Sequence, residues 1–210
     1  MFHRVASVAV VVAVVSLMLS VGCSRTPPRL HPPAIDADIA GAKAIEQYDA
    51  NKDGKISGAE LDKTPAMKAA IIRIDASGAG EITADKITAR IKAWQESKLG
   101  RMPLRCTVLH NGKPLTGAEV KFVPEAFLGE NLKTATGKTD VNGVAMLSIP
   151  TAGSNDPPGV APGFYRVEIA KSGENIPAKY NTETTLGQEV ASDVPEFLML
   201  MQGIKFDLKY

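Results

Sequence analysis

Residues 49–60 read Asp49-Ala50-Asn51-Lys52-Asp53-Gly54-Lys55-Ile56-Ser57-Gly58-Ala59-Glu60, and this stretch decides the first half of the fold. Oxygen-bearing side chains recur at its first, third, fifth, ninth and twelfth positions. Gly54 stands sixth, where a sharp turn favours a residue without Cβ, and Ile56 stands eighth. A solvated Asp/Asn/Gly turn between two helices would need neither Ile56 nor Glu60 in register. With background usage of a few per cent per residue type, a chance match in 210 residues is on the order of one in a thousand.

The pattern resembles the EF-hand calcium loop at every diagnostic position. Calcium is a hard cation that takes six to eight oxygens at about 2.3–2.6 Å. The resemblance implies side-chain ligands from Asp49, Asn51 and Asp53, a backbone carbonyl from Lys55, Ser57 directly or through a water, and both carboxylate oxygens of Glu60. Ile56 would pair with a partner loop. Helical spacing on either side fits the plan: Ile39, Ala42, Ile45 and Tyr48 precede the loop, and Thr64-Pro65 opens a helix with Met67, Ala70, Ile71 and Ile74 as its apolar stripe. Asp75-Ala76-Ser77-Gly78-Ala79-Gly80-Glu81-Ile82-Thr83-Ala84-Asp85-Lys86 then looks like the second loop of a pair, decayed. Ala79 in fifth place and Lys86 in twelfth remove two side-chain ligands, so weak calcium binding or none is expected there. Gly80 and Ile82 keep the turn and the strand-like contact. A last helix runs from Ala84 to about Lys98, with Ile87, Ile91 and Trp94 on one face. The expectation for residues 36–99 is an EF-hand pair holding one calcium ion, structural in role.

Beyond a break at residues 100–103 the apolar period changes from helical to two. Leu104-Arg-Cys106-Thr-Val108 runs into an Asn111-Gly112 turn, Lys113-Pro114-Leu115 leads to Val120 and Phe122, Thr136 to Ile149 reads as strand, Asp–Gly turn and strand, and Tyr165, Val167 and Ile169 share a face. Thr185 to Val190 is a candidate strand, and Phe197-Leu-Met-Leu-Met201 is an apolar run without alternation. Ile204, Phe206 and Leu208 alternate at the chain end. The order Asn-Gly-Lys-Pro-Leu, Gly-x-Thr-Asp-x-x-Gly, Pro-Gly-x-Tyr-x-Val resembles carboxypeptidase regulatory-like, transthyretin-like domains over residues 102–210. The resemblance implies an antiparallel β-sandwich used as an accessory or adhesion-type module. The fold class expected is thus α + β in separate domains, helical pair first and sandwich second.

The resemblance implies no chemistry. Among transthyretin-like folds, hydroxyisourate hydrolase uses histidines, an arginine and a C-terminal Tyr-Arg-Gly-Ser motif. Here the only histidine of this region is His110, read as an exposed turn residue, and the chain ends Phe-Asp-Leu-Lys-Tyr210. No Ser/His/Asp grouping can form, since His3 and His31 fall in the leader and the tether. A non-catalytic protein is expected.

At the N-terminus, Arg4 precedes an almost unbroken apolar run from Val5 to Leu19, too short for a comfortable transmembrane helix and suited to a signal peptide over residues 1–22. Leu19-Ser20-Val21-Gly22-Cys23 resembles the bacterial lipobox, with Leu19 one step earlier than usual. The resemblance implies lipid attachment at Cys23 and an extracytoplasmic, membrane-anchored protein of the cell envelope. Residues 23–35 are proline-rich and read as a tether. Cys106 then lacks an intrachain partner and is expected as a buried small hydrophobe. With 24 basic and 23 acidic residues, the chain lacks the charge excess of a nucleic-acid binder. A polysaccharide or an envelope protein recognised by the sandwich is the alternative function.

Overall fold

The computed structural model describes residues 31–150, 157–198 and 203–210. The leader, Cys23 and most of the tether lie outside them, as do residues 199–201 of the Phe197–Met201 run. No helix among the described residues is long and apolar enough to cross a membrane.

Helix α1, Ala37–Tyr48, starts at Asp36, whose Oδ1 accepts the Ile39 N–H at 3.0 Å, an N-cap that satisfies one of the helix's free donors. The apolar stripe expected from Ile39, Ala42, Ile45 and Tyr48 is turned in the structure. Ile39 is 53% exposed, and the buried face is Ala37, Ala40, Gly41, Ala44 and Tyr48. The reason is the neighbour. A Cβ on Gly41 would lie 2.6 Å from both the Ala84 carbonyl oxygen and Thr88 Oγ1, so α1 presents its small residues to a closely packed helix and turns its isoleucine outward. That helix is α4, Ala84–Glu96, N-capped by Thr83 and burying Ile87, Ile91 and Trp94 as expected.

Between them the chain forms β1 (Lys55–Ser57), a 3₁₀ turn (Gly58–Lys63), helices α2 (Pro65–Ala69) and α3 (Ile71–Ile74), and β2 (Glu81–Thr83). Strands β1 and β2 pair antiparallel with Ile56 opposite Ile82, both fully buried.

The rest is built on two four-stranded sheets. One joins β3 (Leu104–His110), β4 (Lys113–Pro114), β7 (Val144–Leu147) and β10 (Ile204–Leu208); the other runs β6 (Ala135–Lys138), β5 (Glu119–Pro124), β8 (Gly163–Ala170), β9 (Gly187–Val190). At the β3–β4 turn Asn111 and Gly112 both have positive φ, 51° and 78°, which suits a two-residue hairpin. The two sheets meet through Phe122 and Phe206, ring centroids 6.3 Å apart, and Cys106 is fully buried between neighbours. Burial pushes its thiol up to about 12, so it behaves as a hydrophobe.

Two expectations are corrected. First, the arrangement is not antiparallel throughout: β10 runs parallel to β3, with Ile204 opposite Cys106. The preceding strand, β9, belongs to the other sheet, so β10 arrives by a crossover past the helical turn α5 (Pro195–Leu198) instead of through a hairpin. Second, the helical segment does not stand apart from the sheets. Strand β8 buries Tyr165, Val167 and Ile169 on one face and Phe164 on the other. Phe164 packs against Trp94 of α4 at 4.6 Å and against Phe127 at 6.2 Å, so one continuous apolar core runs from α1 to β10. The end of the expected tether joins it: Ile35 is buried, and the Ala34 and Ile35 carbonyls accept from Asn131 and Gln95, each at 2.7 Å.

The tightest approach is at the β9 edge, where a Cβ on Gly187 would lie 2.1 Å from the Pro65 carbonyl carbon and the Ala66 nitrogen. Gly187→Ala should force α2 off that edge and destabilise the protein by about 1–3 kcal/mol, read as a lower midpoint in urea denaturation.

Candidate metal centre

The loop at 49–60 is held as a coil by its own acidic and amide side chains. Asp49 caps α1, its N–H donating to the Ile45 carbonyl at 2.9 Å. Its carboxylate accepts the N–H groups of Asp53 and Gly54 at 3.2 and 2.8 Å. Asn51 Oδ1 also accepts from Asp53 N–H, at 3.0 Å, and Asp53 Oδ1 from Lys55 N–H at 3.1 Å. Gly54, at φ 84°, makes the turn that brings these three side chains to the inside of one coil. The Lys55 ammonium is turned away to Glu81 at 2.7 Å, which leaves its backbone carbonyl as the group the loop can offer. Ser57 begins the 3₁₀ turn that carries Glu60.

Glu60 closes the coil from the far end. Its Oε1 accepts the N–H groups of Ala50 and Asn51 at 2.8 and 3.2 Å, and Oε2 accepts that of Ser57 at 3.0 Å. These three donors, Ser57 first, hold its carboxyl below the usual range. The structure therefore links all six residues singled out in the sequence through the hydrogen bonds of one loop, with Glu60 turned onto backbone donors. As the side chains stand, no three His, Cys, Asp or Glu groups among the described residues are gathered closely enough to hold an ion. The donor chemistry nonetheless fits a hard cation: every candidate is an oxygen and three are carboxylates.

The loop at 75–86 has the same hydrogen-bonded turn and a different closure. Asp75 Oδ2 accepts the Gly80 N–H at 2.8 Å and Oδ1 the Ser77 hydroxyl at 2.5 Å. Lys86 Nζ lies 2.8 Å from Asp75 Oδ1 and donates to the Glu81 carbonyl at 2.9 Å. The Lys86 ammonium, followed by the Ser77 hydroxyl, holds the Asp75 carboxyl far below the ordinary value.

Comparison with known protein families, curated proteins and solved structures finds no match.

Sequence reasoning missed two buried carboxylates that tie this segment to the sheets. Glu189 on β9, fully buried, receives Arg73 Nε at 2.5 Å, Arg90 Nε at 2.5 Å and Trp94 Nε1 at 2.9 Å. Arg90 also makes a two-pronged pair with Asp193, both contacts at 2.7 Å. The signal was present only as an acidic residue beside Gln188 in a short strand whose one apolar side chain is Val190. The second is Glu125, 1% exposed. The hydroxyl of Tyr48, the residue just before the loop, donates to its Oε2 at 2.8 Å, while Oε1 lacks a hydrogen-bond partner. Burial raises the Glu125 carboxyl above its usual value, against the Tyr48 hydrogen bond and the charge of Arg166. His110, expected as an exposed turn residue, is half-buried and stacks on Tyr210 at 4.0 Å, with its Nε2 3.1 Å from the Tyr210 carbonyl.

A carboxyl whose pKa is raised on folding binds its proton more tightly in the folded state. It therefore favours folding fully at pH below its unfolded value, and that contribution is lost as pH rises through the folded one. Glu125→Gln keeps an acceptor for Tyr48 and removes the charge. The variant should be more stable than the wild type at pH 8 by about 1–3 kcal/mol, with the difference shrinking toward pH 4, as followed by denaturant midpoints across that range.

Proposed function

We propose that this chain is a membrane-anchored, extracytoplasmic calcium-binding protein without catalytic activity. In it an EF-hand pair at residues 36–99 holds one structural calcium ion and is braced against a transthyretin-like sandwich. The observation that carries this is the loop at 49–60. Three oxygen-bearing side chains face one coil, a carboxylate closes it, and Ile56 is paired with Ile82 of a second, similar loop. Asp49, Asn51, Asp53 and Glu60 would hold the ion with the Lys55 carbonyl and Ser57. The bound ion would offset most of the charge of the three carboxylates and cross-link the end of α1 to the 3₁₀ turn.

A structural role, and not a signalling one, is supported by how the segment is mounted. The helix entering the first loop is tied through Tyr48 to Glu125, and the helices on either side of the second loop through Arg73 and Arg90 to Glu189. Opening of the helices would break those contacts. The adhesion reading would draw on exposed aromatic side chains, and Phe122, Tyr165 and Phe206 are buried.

Titration calorimetry on the full chain should show one calcium ion bound with an affinity of about 0.1–1 mM, the range of extracellular modules of this type. Glu60→Gln should abolish the heat. At about 10 mM calcium the wild type should gain about 1.4–2.7 kcal/mol, in a single unfolding transition because helices and sheets share one core. No heat from the wild type at that concentration would leave the helical segment a spacer. The anchor is tested separately: Cys23→Ala should move the protein from the membrane fraction to the soluble one.

A further inference from the structure

The second loop departs from the first at its twelfth residue, and what the departure does is visible in the contacts of Lys86. We propose that this loop carries its own cation: the Lys86 ammonium stands where a bound metal ion would stand, so the loop is folded permanently and without metal. For the first loop this rests on the calcium reading above. For the second it rests on the ammonium itself.

The two oxygens that Nζ reaches are the Asp75 carboxylate and the Glu81 carbonyl, at 2.8 and 2.9 Å. They occupy the first and seventh places of the loop, the counterparts of the Asp49 carboxylate and the Lys55 carbonyl. The scaffolds around them correspond. Gly80 donates to Asp75 as Gly54 donates to Asp49, both at 2.8 Å, and Ile82 faces Ile56 across the paired strands. Lys86 sits in the first turn of α4, with its own N–H directed at Thr83 Oγ1, so the side chain extends back into the loop from the position where the first loop has Glu60. A carboxylate there completes a shell around a separate ion. An ammonium there replaces the ion.

The charge balance requires something of this kind. Asp75 is 2% exposed, and a buried carboxylate without a countercharge is strongly destabilising. A tethered lysine supplies that charge without binding from solution, and so without dependence on ion concentration. The first loop therefore docks against a partner that is ordered before any metal arrives, and its binding is that of a single site without cooperativity.

The test uses the full chain in a Glu60→Gln background, which silences the first loop. Adding Ala79→Asp and Lys86→Glu supplies oxygens at the fifth and twelfth places and removes the internal cation. This triple variant should bind one calcium ion by calorimetry and show an unfolding temperature that rises with calcium, while Glu60→Gln alone does neither. A triple variant that keeps its far-ultraviolet dichroism yet takes up no calcium at about 10 mM overturns the proposal. If the triple variant does not fold, Lys86→Met decides. Its unfolding temperature should fall by about 5–15 °C at any calcium concentration, and an unchanged temperature overturns the proposal. The two loops fail separately. A silent wild type with a binding triple variant removes the calcium assignment of the first loop alone, and the reverse pattern removes the tethered cation alone.

Discussion

The buried carboxylate of Glu189 is the constraint on which the arrangement of this molecule depends. It sits on the β9 edge with no access to water and gathers the guanidinium groups of Arg73 and Arg90 and the indole N–H of Trp94. A carboxylate in that position is tolerated only if its charge is matched and its lone pairs are used. The donors come from α3 and α4, so the requirement fixes where the helical segment must lie. Trp94 then falls on Phe164, and Gly187 lets α2 approach the strand edge. A sheet edge that would otherwise present unpaired backbone groups is covered in the same step.

With that mount in place, the two loops become a contrast in how one scaffold can be closed. Both use a first-position aspartate to collect backbone donors around a glycine turn, and both contribute an isoleucine to the same short ladder. In the first, Glu60 bridges the beginning and end of the coil through three N–H groups and leaves the neighbouring oxygens for the proposed calcium ion. In the second, Lys86 brings a positive charge to the oxygens directly. One closure would respond to calcium and the other would not, so the residues at the fifth and twelfth places separate a candidate ligand site from a permanent brace.

Most of the local structure is legible in the chain because it follows from short-range rules. The spacing at 49–60 and 75–86 gives two loops, the Asn111-Gly112 pair gives a hairpin, and alternation places Phe122, Tyr165, Val167 and Phe206 inward. The phase of α1 was not legible. Ile39 and Ala42 have the right period, yet Gly41 and the alanines face α4 because the helices approach too closely for larger side chains. Nor was Phe164, which follows no alternation: β8 is covered on both faces at its start, where apolar residues follow one another, while Arg166 and Glu168 further along are only half-buried.

What the sequence by itself determined is the two hydrogen-bonded loops and most of the strands, since turn geometry and period are encoded within a dozen consecutive residues. What only the tertiary structure decided is how the halves are joined. Separate domains are a natural expectation when the apolar period changes at residues 100–103, but Glu189 lies 116 residues from Arg73 and 99 from Arg90, and Glu125 lies 77 from Tyr48. The parallel pairing of β10 with β3 is of the same kind. Pairings over such distances are set by which buried charges and apolar faces must be satisfied together, and no local pattern records them.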